Sequence, residues 1–219
     1  MATRQLLADI ASLYRQQTGI EVQIESVGGA DAAKRVRAGE AFDFIALASD
    51  AIDALIEGRH VVAGSRADFV RSKVALAVRS GTAHPRIDSE DSLREAVLAA
   101  PAIGYSTGPS GTAVLQLFAR WGLADALADR LVLAPSGVPV GRLLAEGRVA
   151  LGFQQLSELI DEPDVDVVGT LPSACEIVTT FSAGVGAHAA HPERTRQLLE
   201  FLRSDATAEL KQRHGLEAA

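Results

Sequence analysis

A single cysteine, Cys175, stands among the 219 residues, so an intrachain disulfide and a thiolate metal cluster are both excluded. It reads as a small buried hydrophobe without a reactive motif. No apolar run approaches the roughly 18 residues of a membrane-spanning helix. The opening Met1-Ala2-Thr3-Arg4-Gln5 leads into an amphipathic stretch and not into the apolar core of a signal peptide. As written, the chain carries no export signal and reads as cytoplasmic, without membrane insertion. Cations are in deficit, with 21 Lys plus Arg against 28 Asp plus Glu and a net charge of −7. That field repels nucleic acid and anionic membrane, and any anion must be held by local groups. Repeats and low-complexity linkers are absent, which removes the solenoid architectures.

Motifs of enzyme chemistry are scarce too. Gly108-Pro109-Ser110-Gly111-Thr112 lacks the final glycine of a nucleophile elbow, no Gly-Lys-Ser/Thr completes a phosphate loop, and no G-x-G-x-x-G follows a strand. Of the five histidines only His188 and His191 are near one another, and no acidic ligand motif accompanies them. The sequence therefore predicts no metal and no cofactor.

What is present is an ordinary globular balance of 47% hydrophobic and 22% charged residues, enough core for one large domain or two small ones sharing a cleft. Apolar residues at helical spacing predict a helix over 6–14, stopped at Thr18-Gly19. Ile20, Val22 and Ile24 alternate with polar neighbours and predict a strand. A helix over 30–38 follows. The run 42–48 is apolar on both faces, the pattern of a central parallel strand, and precedes a helix over 51–56. Strands over 73–78, 102–105, 131–134 and 149–153 then alternate with helices over 92–99, 112–121 and 140–146. A long strand over 176–185 comes next, and two helices starting near Pro192 and Asp205 close the chain with no strand after them. This alternation predicts an α/β fold of two lobes joined by crossing strands, near 74–80 and 174–184. The lobes comprise residues 1–75 with 181–219, and residues 76–180.

The chemistry concentrates at strand ends. In Gly104-Tyr105-Ser106-Thr107-Gly108-Pro109-Ser110-Gly111-Thr112 small residues let a ligand approach the backbone, while the amides and positive end of the following helix favour an anion. The hydroxyls of Ser110 and Thr112 add donors, although either also serves as an ordinary helix cap. Two further strand-to-helix junctions carry small residues, Val27-Gly28-Gly29-Ala30 and Ala134-Pro135-Ser136-Gly137-Val138-Pro139. Ligands of open α/β sheets lie beyond such carboxyl ends. Arg71 offers a bidentate clamp for a carboxylate or lies in a solvated turn, and Gln155 offers both donor and acceptor or caps a helix.

The sequence resembles the molybdate-type periplasmic solute-binding proteins, of type II periplasmic-binding-protein fold, over nearly its whole length. The resemblance is carried by Leu6-Leu7-Ala8-Asp9-Ile10, Thr18-Gly19-Ile20, Ala33-Lys34-Arg35-Val36-Arg37-Ala38-Gly39, Phe42-Asp43, Ala48-Ser49-Asp50, Arg71-Ser72-Lys73-Val74, the Ser110-Gly111-Thr112 helix start and Leu151-Gly152-Phe153-Gln154-Gln155. It implies two mixed sheets flanked by helices, a cleft, two crossing strands and closure by hinge motion. It also implies periplasmic localisation and delivery to an ABC-transporter membrane component. The family's anion-binding serines fall on Gly28, Gly29 and Ala30, and its ligand-binding tyrosine on Gln155, so the cage that encloses molybdate is not reproduced. The family also opens with a strand that this sequence does not show, and a sheet position left open in that way favours pairing with a second chain as a dimer.

The reading that follows is a solute-binding protein closing on a small oxyanion or carboxylate, molybdate-binding-like without being specific for molybdate. Its expected contacts are Gly28, Gly29, Arg71, Ser110, Gly111, Thr112, Val138 and Gln155. The alternative is an isomerase of a di- or tricarboxylate, like the aconitate isomerase of the wider family. It would use the same cleft with Asp31 or Glu158 as base, though neither stands in a diagnostic motif and no catalytic residue is assigned.

Overall fold

The computed structural model describes residues 2–135 and 137–219; Ser136 of the third small-residue junction lies outside the described residues. In chain order the elements begin α1 (Arg4–Thr18), α2 (Gly29–Arg37), β1 (Phe44–Ala48), α3 (Ser49–Glu57), β2 (Ala67–Arg79) and α4 (Glu90–Ala99). They continue as β3 (Ile103–Tyr105), α5 (Pro109–Arg120), α6 (Ala124–Leu127), β4 (Leu131–Leu133), α7 (Val140–Ala145) and β5 (Leu151–Gln155). The last are α8 (Leu156–Leu159), β6 (Val165–Thr170), β7 (Val178–Val185), α9 (Pro192–Arg203), α10 (Ala208–Arg213) and β8 (Glu217–Ala218). The chain divides into two compact units, Met1–Ser72 with Thr180–Ala219, and Lys73–Thr179. It passes from one unit to the other inside β2 and again inside β7, the two strands on which the sequence places the crossings.

The first unit is built on β1, β7 and the leading half of β2. β1 runs antiparallel to β7 from Phe44↔Val185 to Ala48↔Phe181, and β8 pairs with β2 at Val70 and Arg71. α1 forms because Leu6, Leu7, Ile10 and Tyr14 bury along one face, and Gly19 ends it with φ +73°, a conformation that a side chain resists. The apolar pattern of β1 comes from its layers: Phe44, Ala46 and Ala48 meet the cluster around Phe69 and Leu199, while Ile45 and Leu47 meet the one around Ile52 and Leu55. Helical layers on both faces give this strand the composition of a central parallel one, although it is antiparallel and ends the strand order of the sheet. The closing strand β8 is a second departure, since two residues are too short to carry a period.

The second unit has the order β4, β3, β5, β2, with β6 on the other side of β2; β3 is parallel to β4 and β5, and β2 is antiparallel to β5 and β6. Period-two alternation splits its core in two. Val74, Leu76, Val78, Ile103, Leu151 and Phe153 face α4 and α5, whereas Ala75 and Ala77 face α7 and α8. Phe118 of α5 meets Phe153 edge-on at 5.6 Å. α7 packs close because Gly104 and Gly152 lack side chains: a Cβ there would come within 2.9 Å of Val140. β6 escapes the sequence reading because its register on β2 shifts between Leu76 and Ala77, and that bulge breaks the alternation.

Residues 20–25 are the main correction to the sequence reading. Ile20, Val22 and Ile24 are half-buried and Glu21, Gln23 and Glu25 exposed, so the predicted alternation is real, yet the segment enters no ladder among the described residues. Periodicity reports a half-buried surface; a strand also needs a neighbour to take its hydrogen bonds. Arg35 holds the segment from α2 by a two-pronged contact with Glu25 at 2.6 and 2.9 Å. Amide hydrogen exchange at Val22 and Ile24 is therefore expected to be fast beside that of Ile45 and Leu47. Equal protection at the four positions would show a strand where none is described.

Candidate functional site

Four of the expected residues, Ser110, Gly111, Thr112 and Gln155, lie on the α5 helix start and at the end of β5 in the second unit. α5 starts at Pro109 after the extended Gly108, and no side chain caps it. Pro109 has no N–H, and the Thr112 amide already donates to the Gly108 carbonyl at 3.2 Å. This leaves the amides of Ser110 and Gly111 without an acceptor among the described residues. Such a first turn carries partial positive charge and favours an anion. Ser110 is buried, and its hydroxyl lies 3.0 Å from that of Ser106. Gly111 is there for contact: a Cβ would fall 1.7 Å from the Ser106 carbonyl oxygen, so this helix start is pressed onto the loop after β3. Thr112 is exposed and offers its hydroxyl alone.

Gln155 ends β5 and sits on the same face of that strand as Leu151 and Phe153, the face covered by α5. It is 2% exposed. Its amide nitrogen donates to the Thr179 hydroxyl at 2.7 Å, and its carbonyl oxygen has no partner among the described residues. The hydroxyl of Ser157, two residues on, is likewise buried without one.

Val138 is half-buried in the loop before α7, and its amide donates to the Pro135 carbonyl at 3.0 Å; α7 itself covers the other side of the sheet. There Gln154 accepts a hydrogen bond from the Val140 amide at 2.7 Å. A backbone N–H only donates, so the Gln154 side-chain oxygen must face α7, and its nitrogen is free to donate to Glu158. Burial pushes the Glu158 carboxyl above its ordinary value, and the hydrogen bond from Gln154 opposes that rise. Adjacent glutamines on one strand thus serve opposite faces. Gln154, Ser106 and Thr179 are the members the sequence reading leaves out. The first was legible: side chains alternate along a strand, so a Gln-Gln pair at a strand's carboxyl end supplies both faces.

In the first unit Gly28 caps α2 with ordinary φ and ψ of −57° and 141°, and no side chain accepts from the first turn. A Cβ on Gly29 would find only Leu47, at 3.7 Å. Gly29 is not required by the fold at that point, in contrast to Gly111. Asp31 is exposed in the same turn. Arg71 is exposed on β2 opposite Glu217 of β8, and the neighbouring Lys73 pairs with Glu176 at 3.0 Å. Cys175 is buried in the second unit's core, and that burial raises its thiol. Among the described residues no three His, Cys, Asp or Glu side chains gather as a metal-ligand set.

Residues 1–217 match the family model described as "Bacterial extracellular solute-binding protein". The chain is 32% identical over 217 residues to an aconitate isomerase of a Pseudomonas species, covering 96% of this chain and 82% of that one. It is 28% identical over 158 residues to the molybdate-binding protein ModA of Azotobacter vinelandii, covering 70% and 61% respectively. The solved structure of the Azotobacter vinelandii periplasmic molybdate-binding protein superposes with a TM-score of 0.80 at 21% identity, over 98% of this chain and 95% of that one. The fold is thus the two-lobed periplasmic-binding-protein type.

Gly111→Ala is expected to cost ~1–3 kcal/mol in urea unfolding, because the added methyl meets backbone. Gly29→Ala is expected to leave stability unchanged or raise it by up to about 1 kcal/mol. Equal effects would contradict the contrast drawn between the two loops. Glu158 supplies a pH signature. An acid raised in the folded state binds more protons there than in the unfolded chain, so stability falls as pH rises from about 4.5 through the raised value. Glu158→Gln is expected to flatten that fall, and a profile parallel to that of the parent chain would contradict the assignment.

Proposed function

The chain belongs to the bacterial extracellular solute-binding proteins, and on that premise we propose that it captures a small anion, a carboxylate or an inorganic oxyanion, at the carboxyl edge of the second unit's sheet. The observation that carries this reading is the uncapped first turn of α5. Two amides without acceptors and the buried Ser110 hydroxyl stand on the face of the sheet that Gln155 closes. These donors are neutral, so they replace an anion's hydration without a counter-charge, as suits a chain of net charge −7. In the first unit the proposed contacts are the amides at Gly28 and Gly29, with Arg71. Val138 and the hydroxyl of Thr112 complete the set in the second. The proposed partner is an ABC-transporter membrane component and the proposed compartment periplasmic. No helix among the described residues is long and apolar enough to cross a membrane.

A second reading is favoured by one relative and one residue. The Pseudomonas relative is named as an aconitate isomerase, and Glu158 has a carboxyl raised by burial and held by Gln154. Moving a proton between carbons needs a base poised near the working pH, which a raised carboxyl approaches.

Thermal unfolding with molybdate, sulfate, phosphate and a set of carboxylates tests the first reading. An anion at 100 times its Kd is expected to stabilise by about 2.7 kcal/mol. Ser110→Ala is expected to weaken that anion by roughly tenfold or more. Absence of a shift with every anion overturns the proposal. In deuterium oxide, exchange of a carbon-bound proton of aconitate that Glu158→Gln abolishes would establish the isomerase reading, and no exchange would remove it.

A further inference from the structure

We infer that the ligand of the α5 site is a carboxylate that also carries a hydroxyl, and that the side-chain oxygen of Gln155 is the group that selects it. The inference rests on the anion-binding reading above and adds the chemistry of the ligand's second contact.

Gln155 is 98% buried as the complement of its 2% exposure, and its two amide atoms are treated differently. The nitrogen donates to Thr179 at 2.7 Å, whereas the oxygen is buried and has no donor among the described residues. A carbonyl oxygen in that state costs roughly 1–3 kcal/mol, and the cost is recovered only when a donor arrives. Strand alternation puts the residue at the end of β5 on the face that Leu151 and Phe153 share with α5, and on that placement we take the unsatisfied acceptor and the two unsatisfied amides as parts of one site. Their demands differ. The Ser110 and Gly111 amides need an acceptor with negative charge; the Gln155 oxygen needs a hydrogen to be brought to it.

An inorganic oxyanion without protons meets the first demand and repels the second, since it would set its own lone pairs against those of Gln155. A carboxylate with a hydroxyl on a neighbouring carbon meets both. The buried Ser157 hydroxyl, also unpartnered in the strand-to-helix junction that Gln155 ends, is a further polar group for such a ligand. Discrimination of this kind is steep, because a ligand that lacks the hydroxyl leaves a buried acceptor unpaired.

Calorimetric titration of the full chain with matched pairs tests the inference. Malate against succinate, and citrate against tricarballylate, differ in one hydroxyl, and molybdate and sulfate present no donor. The hydroxylated member of at least one pair is expected to bind at least about tenfold more tightly than its twin, and more tightly than either oxyanion. Gln155→Met, which keeps the volume and removes the acceptor, is expected to bring that ratio close to one with the unfolding temperature of the free protein retained. If that variant does not fold, the titrations of the unaltered chain decide alone. Carboxylate binding with equal affinity within both pairs overturns the inference and leaves the anion site standing. Preference for molybdate or sulfate overturns it as well and means that the free atom of Gln155 is its nitrogen. Binding of nothing in the panel defeats the anion-binding reading itself.

Discussion

Two backbone amides with no acceptor among the described residues, at Ser110 and Gly111, set the terms for the second unit. They stay available because Pro109 starts the helix and no side chain caps it, and their position is fixed because Gly111 rests directly on the Ser106 carbonyl. A helix that begins this way keeps an exposed positive end and pays for it in unsatisfied donors unless water or an anion is bound. The rest of the unit holds that end in place. Phe118 packs on Phe153, Val114 and Leu117 bury beneath the helix, and the strand end that carries Gln155 is drawn to the same face.

The sheet divides the polar residues as strictly as the apolar ones. Val74, Leu76 and Phe153 go to the α5 side, Ala75 and Ala77 to the α7 side, and the two glutamines follow the same alternation. The outcome is two chemically distinct edges. On one, neutral donors and a lone acceptor suit the recognition of an anion. On the other, Gln154 is oriented by the Val140 amide and in turn holds a carboxyl whose proton affinity burial has raised.

Much of this was legible in the sequence where a local rule is decisive. Gly19 stops α1 as its left-handed backbone requires, and the Ser-Gly-Thr junction after β3 lies in the first turn of a helix whose Ser110 and Gly111 amides have no acceptor among the described residues. The two crossing strands were legible because the α/β alternation ends on a long strand followed by helices. What failed was long-range. The alternation of residues 20–25 is present without a ladder, the apolar faces of β1 reflect helical layers and not parallel neighbours, and β6 is hidden by a bulge. Within the site, Thr179 could not be found from spacing, since it reaches Gln155 from a strand 24 residues further along the chain. Gly29 looked equivalent to Gly111 as a letter, and only the packing distinguishes a glycine required by contact from one that the fold leaves free.

The central claim is that the α5 amides themselves receive the ligand, and amide-resolved nuclear magnetic resonance during a carboxylate titration tests it most directly. The Ser110 and Gly111 proton resonances are predicted to move downfield together and to saturate with the same Kd as the calorimetric heat. Saturable binding that leaves both resonances unmoved while amides elsewhere shift would contradict the account.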